Sequence, residues 1–103
     1  MKVENMTSNK GNKIANQFII YDDNSNKYFQ SYKSVIAKIV NYDLIRVHRK
    51  IYLTRVHRKV YLDKNFWDYS VTTGKYRNIF LNETKKETEK KIKSGEYILT
   101  NLN

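Results

Sequence analysis

The sequence predicts a small α+β domain, with an antiparallel sheet of three or four strands followed by two short C-terminal helices. Two β-rich runs flank a run of turn-forming residues, Asp22 to Asn26, and this arrangement indicates a hairpin. The C-terminal third carries two helix-start signals, the second of which is a capping box from Thr84 to Glu87. Strands followed by helices are typical of the α+β class.

The predicted strands are rich in β-branched and aromatic residues. Gln17 to Tyr21 and Lys27 to Tyr32 form the two arms of the hairpin. Ser34 to Val40 fits either a helix face or a strand, and its β-branched content favours a strand. Residues 1–16 are polar and show no periodicity, so they are predicted to form an extended N-terminal arm.

The predicted helices are defined by their ends. Ser70, Thr72 and Thr73 offer capping side chains before a helix from Lys75 to Leu81. The second helix opens at the capping box and ends at Gly95. An aromatic cluster surrounds the first helix and could form a stacking platform, but its spacing favours a place in the core; it comprises Phe66, Trp67, Tyr69, Tyr76 and Phe80.

Length and composition indicate one domain over residues 1–103, because a chain of this size builds a single core. The absence of cysteine favours a reducing compartment, and we expect a cytoplasmic location. The longest apolar run, Phe18 to Tyr21, is far shorter than the roughly 20 residues of a membrane span. We therefore expect no membrane partner.

The middle of the chain contains a tandem repeat. Arg46 to Thr54 is followed directly by Arg55 to Asp63, and seven of the nine positions are identical. An odd period would turn the second copy to the opposite face of one continuous strand, so a break is expected near Thr54. The repeat makes residues 41–59 a basic duplicated insertion that extends the central hairpin.

The repeat also concentrates the positive charge. The chain has a net charge of +10, and residues 46–64 carry seven Lys or Arg and one acid. Arginine suits phosphates, and tyrosine offers a stacking face for unpaired bases. The alternative is a solvated sheet edge whose charges prevent aggregation. The predicted binding residues are Arg46, Arg49, Lys50, Tyr52, Arg55, Arg58, Lys59 and Tyr61.

Catalytic and metal chemistry find little support in the sequence. His48 and His57 occupy equivalent positions of the two copies, but neither has Cys, Asp or Glu at ligand spacing, and the surrounding cations repel a divalent ion. The two histidines could in principle act as an acid and base pair, whereas duplication alone explains their number. No carboxylate pair, nucleophile motif or glycine-rich phosphate loop is recognisable. We expect no enzyme activity, no cofactor and no metal.

Motifs along nearly the whole chain resemble a small domain of unknown function that is common in phages and mobile elements of Gram-positive bacteria. That family usually joins the strand near Ile39 to the strand at Val60 by a short turn, whereas a longer basic segment intervenes here. The resemblance implies a phage or prophage protein of α+β type, a setting that includes anti-CRISPR inhibitors. The motifs include Met6 to Asn12, Asn16 to Ile20, Phe29 to Tyr32, Val60 to Asp63, Trp67 to Ser70, Lys75 to Asn78 and Gly95 to Tyr97.

Two functions from different classes follow from these observations. The first is a phage-encoded inhibitor of a host defence nucleoprotein complex, which binds the effector protein or its RNA or DNA stoichiometrically through a basic surface. The second is a nucleic-acid-binding accessory or regulatory protein of the phage. The sequence does not specify the oligomeric state.

Overall fold

The computed structural model describes residues 1–24, 26–40, 44–47, 50–53 and 59–103. Within these residues the strands are β1 Lys2–Thr7, β2 Lys13–Tyr21, β3 Asn26–Ser31, β4 Ser34–Val40, β5 Leu44–Val47, β6 Lys50–Leu53, β7 Lys59–Asp63 and β8 Tyr97–Thr100. The helices, α1 Val71–Leu81 and α2 Lys85–Lys93, lie between β7 and β8 in the chain.

Six of the described strands form one mixed sheet in the order β1-β2-β3-β4-β7-β8. Neighbouring strands run antiparallel from β1 to β7, and β8 runs parallel to β7. Parallel neighbours need a crossover connection, and the two helices provide it.

The expected small antiparallel sheet of three or four strands is therefore wrong. The sheet also contains two edge strands, one formed by residues 2–7 and the other by residues 97–100. An edge strand is held by backbone hydrogen bonds along one side and needs little apolar periodicity. The polar N-terminal residues therefore join the sheet without showing a strand pattern in the sequence.

The core lies between the sheet and the helices. The Phe29 ring of β3 stacks on Phe80 of α1 at a centroid distance of 5.7 Å, and the Ser31 and Thr73 hydroxyl oxygens lie 3.0 Å apart. The expected core role of the aromatic cluster is confirmed except for Tyr69, which is exposed. The buried apolar residues are Met6, Phe29, Ile36, Ala37, Ile39, Val60, Leu62, Phe80, Leu81 and Tyr97.

The helix starts follow local sequence closely. The Ser70 hydroxyl accepts a hydrogen bond from the Thr73 N–H, so α1 begins at Val71, one turn before the predicted start. The predicted capping box between Thr84 and Glu87 is confirmed at the start of α2. These caps determine where the two helices of the crossover connection begin.

The repeat divides between two sheets. In the first copy, Arg46 and Val47 end β5 and Lys50 to Leu53 form β6, and these two strands make a separate two-stranded sheet. In the second copy, Lys59–Asp63 forms β7 in the six-stranded sheet. Among the described residues, the last pair between β4 and β7 is Val40 opposite Lys59, so the expected lengthening of the central hairpin falls on residues outside the described ranges. The expected break at Thr54 lies outside the described residues.

Candidate functional site

The predicted binding residues fall into three groups in the structure. Lys59 and Tyr61 lie in β7, in the middle of the large sheet. Arg46 lies in β5, and Lys50 and Tyr52 lie in β6. Arg49, Arg55 and Arg58 lie outside the described residues, as do His48 and His57.

The face of the sheet opposite the helices carries the two β7 residues. Phe29 points to the helices, so the preceding residue, Tyr28, points to the other face. Residues that pair directly across strands share a face. One row on this open face therefore crosses all six strands: Val3, Ile20, Tyr28, Lys38, Tyr61 and Ile98.

Lysine and tyrosine alternate at the centre of the open face. Lys38 pairs across the strands with Tyr28 on one side and with Tyr61 on the other. Its ammonium lies 5.4 Å from the centre of the Tyr28 ring, which is a cation–π distance. Both rings are half-buried, so part of each is accessible.

A shallow depression of about 400 Å³ lies on this face beside Tyr61. Its lining residues are Asn26, Lys38, Val40, Tyr61, Thr100 and Leu102. Val40 pairs with Lys59, and the chain leaves the large sheet for the basic insertion at these two residues. The depression therefore adjoins the base of the insertion.

Asp22 fixes one side of the open face. Its carboxylate accepts hydrogen bonds from the N–H groups of Asn24 and Asn26, from the Asn26 side chain, and from the Tyr28 hydroxyl at 3.2 Å. Burial disfavours the charge of Asp22, but these donors outweigh it and hold its pKa below the ordinary value. The Tyr28 side chain is thereby anchored at its hydroxyl end.

The C-terminal residues fix the opposite side. The fully buried Asp63 carboxylate accepts hydrogen bonds from the Leu102 N–H at 2.8 Å and from the Asn65 and Phe66 N–H groups at 3.0 Å. Burial works against the charge, yet these donors lower the pKa of Asp63. Asn103 then bonds the backbone of Val35 in β4. The tail thus borders the open face.

The cations of the open face are not neutralised locally. Within the described part of the chain, neither Lys38 nor Lys59 has a carboxylate at ion-pair distance. The carboxylates of Asp22 and Asp63, at the ends of strands in this face, accept hydrogen bonds from N–H and O–H donors. The open face therefore offers free positive charge beside exposed parts of aromatic rings.

A larger cleft of about 620 Å³ lies on the helix side, next to the start of α1. Its buried Arg77 donates to the Trp67 carbonyl at 2.6 Å and to Asp68 at 3.0 Å, and Lys85 lies 2.8 Å from the same carboxylate. Burial raises the pKa of Asp68, but these two cations outweigh it and lower the pKa. The charged groups here bind one another, so we interpret this cluster as structural.

The described residues contain neither a metal-ligand cluster nor a membrane-spanning helix. Residues 1–24, 26–40, 44–47, 50–53 and 59–103 contain no cluster of three His, Cys, Asp or Glu side chains that could hold a metal ion. No described helix has the length and apolar character needed to span a bilayer. The expectation of a metal-free protein stays a prediction.

A known protein family matches most of this chain. A family model described as a family of unknown function, DUF8033, matches residues 1–96. The chain belongs to this family. The resemblance to an uncharacterised domain is confirmed to that extent. No curated protein and no solved structure gives a significant match.

The DUF8033 match includes most of the candidate site. It covers β1 to β7 and both helices, and therefore Tyr28, Lys38, Lys59 and Tyr61. It ends before β8 and the C-terminal tail. All residues of the row across the open face therefore lie within the DUF8033 match, except Ile98.

Sequence reasoning identified Lys59 and Tyr61 but not Tyr28 and Lys38. A signal for Tyr28 was present, because Tyr28 and Gln30 alternate with Phe29 and Ser31 in the strand pattern. Only the strand order brings Lys38 between the two rings, since β4 lies between β3 and β7. No local pattern in the sequence indicates that order.

Proposed function

We propose that this protein is a binding protein for nucleic acid, which it holds through the basic insertion and the adjoining open face of the sheet. The observation that carries the proposal is the placement of Lys59 and Tyr61 beside Lys38, on the face opposite the helices and at the base of the insertion. Cations without acidic partners attract phosphates, and the net charge of +10 favours the same class of partner.

A narrower form of the proposal is supported by the resemblance to phage domains. In this form the nucleic acid belongs to a host defence nucleoprotein complex in the bacterial cytoplasm, and the protein inhibits that complex by occupying it. Inhibition would then require about equal amounts of inhibitor and target. Substoichiometric inhibition that is lost when His48 and His57 are both replaced by Ala would instead indicate catalysis.

The direct test is a binding titration with labelled nucleic acid at several salt concentrations. Replacing Arg46, Arg49, Arg55 and Arg58 by Ala should lower affinity and reduce the slope of log affinity against log salt by up to about 3, at roughly 0.7 for each lost phosphate contact. Circular dichroism should show that the fold is kept.

The matched control removes the same number of charges from the helical layer. Lys75, Lys86, Lys90 and Lys93 are exposed there, and replacing them by Ala should change affinity far less. Equal losses in the two variants would show that only net charge matters and would contradict a localised site. Absence of binding to any nucleic acid would overturn the proposal.

A further inference from the structure

We infer that the open face binds single-stranded nucleic acid, with unpaired bases stacked on Tyr28 and Tyr61 and a phosphate held by Lys38. The inference rests on the proposed function for the class of partner and goes beyond it by naming the strandedness and the contacting residues. Nothing in the family description assigns a ligand to this face.

The first argument is the geometry of the row. Tyr28, Lys38 and Tyr61 occupy directly paired positions of three adjacent strands. Adjacent strands lie about 4.8 Å apart, so the two tyrosines stand about 10 Å apart with the lysine between them. A flexible single strand can set one base on each ring and present its backbone to the cation. Paired bases in a duplex are not available for such contacts.

The second argument is that the Tyr28 ring is held in place before any ligand binds, and that Tyr61 has a backbone fixed on both sides. The Tyr28 hydroxyl donates to Asp22, and the Lys38 ammonium lies over the Tyr28 ring. Tyr61 lies between the backbones of β4 and β8, in the interior of the sheet. A stacking surface that is already ordered loses little conformational entropy on binding.

The third argument is charge complementarity. Lys59 is exposed and lies at the same end of the sheet as the insertion, and Lys38 has no acidic partner within the described residues. A strand that crosses the depression toward Lys59 therefore approaches residues 41–58, which contain five further Lys or Arg. An electropositive path next to aromatic faces is the usual arrangement for single-strand binding.

The test compares a labelled oligouridine with a double-stranded RNA of the same length. We expect tighter binding to the single strand, and Tyr61→Leu or Tyr28→Leu should each weaken that binding about 5- to 100-fold, because stacking contributes strongly for each base. Tyr61→Phe keeps the aromatic face and should restore most of the affinity. Lys38→Gln should weaken binding and reduce its salt dependence.

The helix side provides a matched control pair. Lys75 lies 5.4 Å from the ring centre of Tyr76, the same distance as for Lys38 and Tyr28. Tyr76→Leu should leave affinity for oligouridine unchanged. Each variant is first checked by its urea unfolding midpoint, and Tyr28→Leu keeps the test valid if Tyr61→Leu fails to fold.

The outcomes separate this inference from the proposed function. Equal binding of oligouridine and duplex would overturn the inference. So would wild-type affinity in the tyrosine variants together with weakened binding in the arginine variants. In either case the protein binds nucleic acid, but not by stacking unpaired bases on Tyr28 and Tyr61. If neither RNA binds, the inference is overturned, and the proposed function fails as well only if the titration finds no other nucleic acid that binds. A dimer that buries Tyr61 in sedimentation and crosslinking experiments would also overturn it.

Discussion

The two copies of the repeat have almost the same sequence but different places in the molecule. Lys59–Asp63 of the second copy is β7, between β4 and β8 in the large sheet, whereas Lys50–Leu53 of the first copy is β6 in a two-stranded sheet. Their strand residues differ only at Ile51 and Val60. Local strand propensity is therefore equal, and the surroundings determine the difference.

The last residue of each copy is one such determinant. Asp63 ends the second copy and receives three backbone N–H groups from the following turn and the C-terminal tail, whereas Thr54 ends the first copy. A threonine hydroxyl cannot serve all three donors. The comparison indicates that the second copy supplies a strand of the six-stranded sheet, whereas the described strand residues of the first copy lie outside that sheet.

The largest difference in unfolding free energy between the copies should appear at the leucine that both contain, Leu53 in the first copy and Leu62 in the second. Leu62 is fully buried, so Leu62→Ala should lower the free energy of unfolding by about 2–5 kcal/mol. Leu53→Ala lies outside the six-stranded sheet and should cost much less. Urea denaturation of the two variants checks this prediction. Equal losses of unfolding free energy would contradict the different structural places of the two copies.

A smaller effect is expected at Asp63. Both oxygens of the Asp63 carboxylate accept backbone N–H groups, whereas an asparagine side chain has only one oxygen. In Asp63→Asn the side-chain NH₂ group would therefore face one of these backbone N–H donors. The expected cost is about 2 kcal/mol at neutral pH. Thr54→Asp, which gives the first copy the same residue, should not stabilise the protein, because the donors Asn65, Phe66 and Leu102 follow only the second copy.

The same variant has a defined pH dependence. The pKa of Asp63 is lower in the folded protein than its ordinary value of 3.8, so its ionised form stabilises the fold. This contribution is complete at neutral pH and is lost as the pH falls below about 4. The stability difference between wild type and Asp63→Asn should therefore shrink on acidification. A difference that stays constant down to pH 2 would contradict the ionised hydrogen-bonded state.

The smallest effect is expected at the one strand position where the copies differ. Val60 is 2% exposed, so Val60→Ile forces an additional methylene into a packed site and should cost about 1 kcal/mol. Ile51→Val in the first copy should leave the unfolding free energy nearly unchanged. A stabilising Val60→Ile would show that the core beside β7 has unfilled space.

Parts of the fold with strong local signals were predictable. The capping box, the Ser70 cap and the hairpin between β2 and β3 all depend on residues that are close in sequence. The edge strand β1 was not, since its pairing to β2 uses backbone groups and leaves no pattern in the side chains. The parallel pairing of Val60 with Tyr97 joins residues far apart in the chain, and local patterns do not reveal such contacts.

The candidate site was predictable to a lesser extent. The repeat drew attention to Lys59 and Tyr61 because their charge and aromatic character are concentrated there. Tyr28 and Lys38 come from other strands and join them only through the order β3-β4-β7. A site assembled across strands depends on that order, and composition and spacing along one chain do not contain it.

The account is tested most directly by deleting the first copy, Arg46 to Thr54, and measuring affinity for oligouridine as a function of salt. The second copy remains to form β7, and shortening the connection costs little loop entropy, so the variant should unfold cooperatively near the wild-type midpoint. It should bind more weakly, with a salt slope smaller by about 2 because Arg46, Arg49 and Lys50 are gone. Unchanged affinity and slope would contradict the proposed contribution of the first copy to binding, and loss of cooperative unfolding would show that the fold requires both copies.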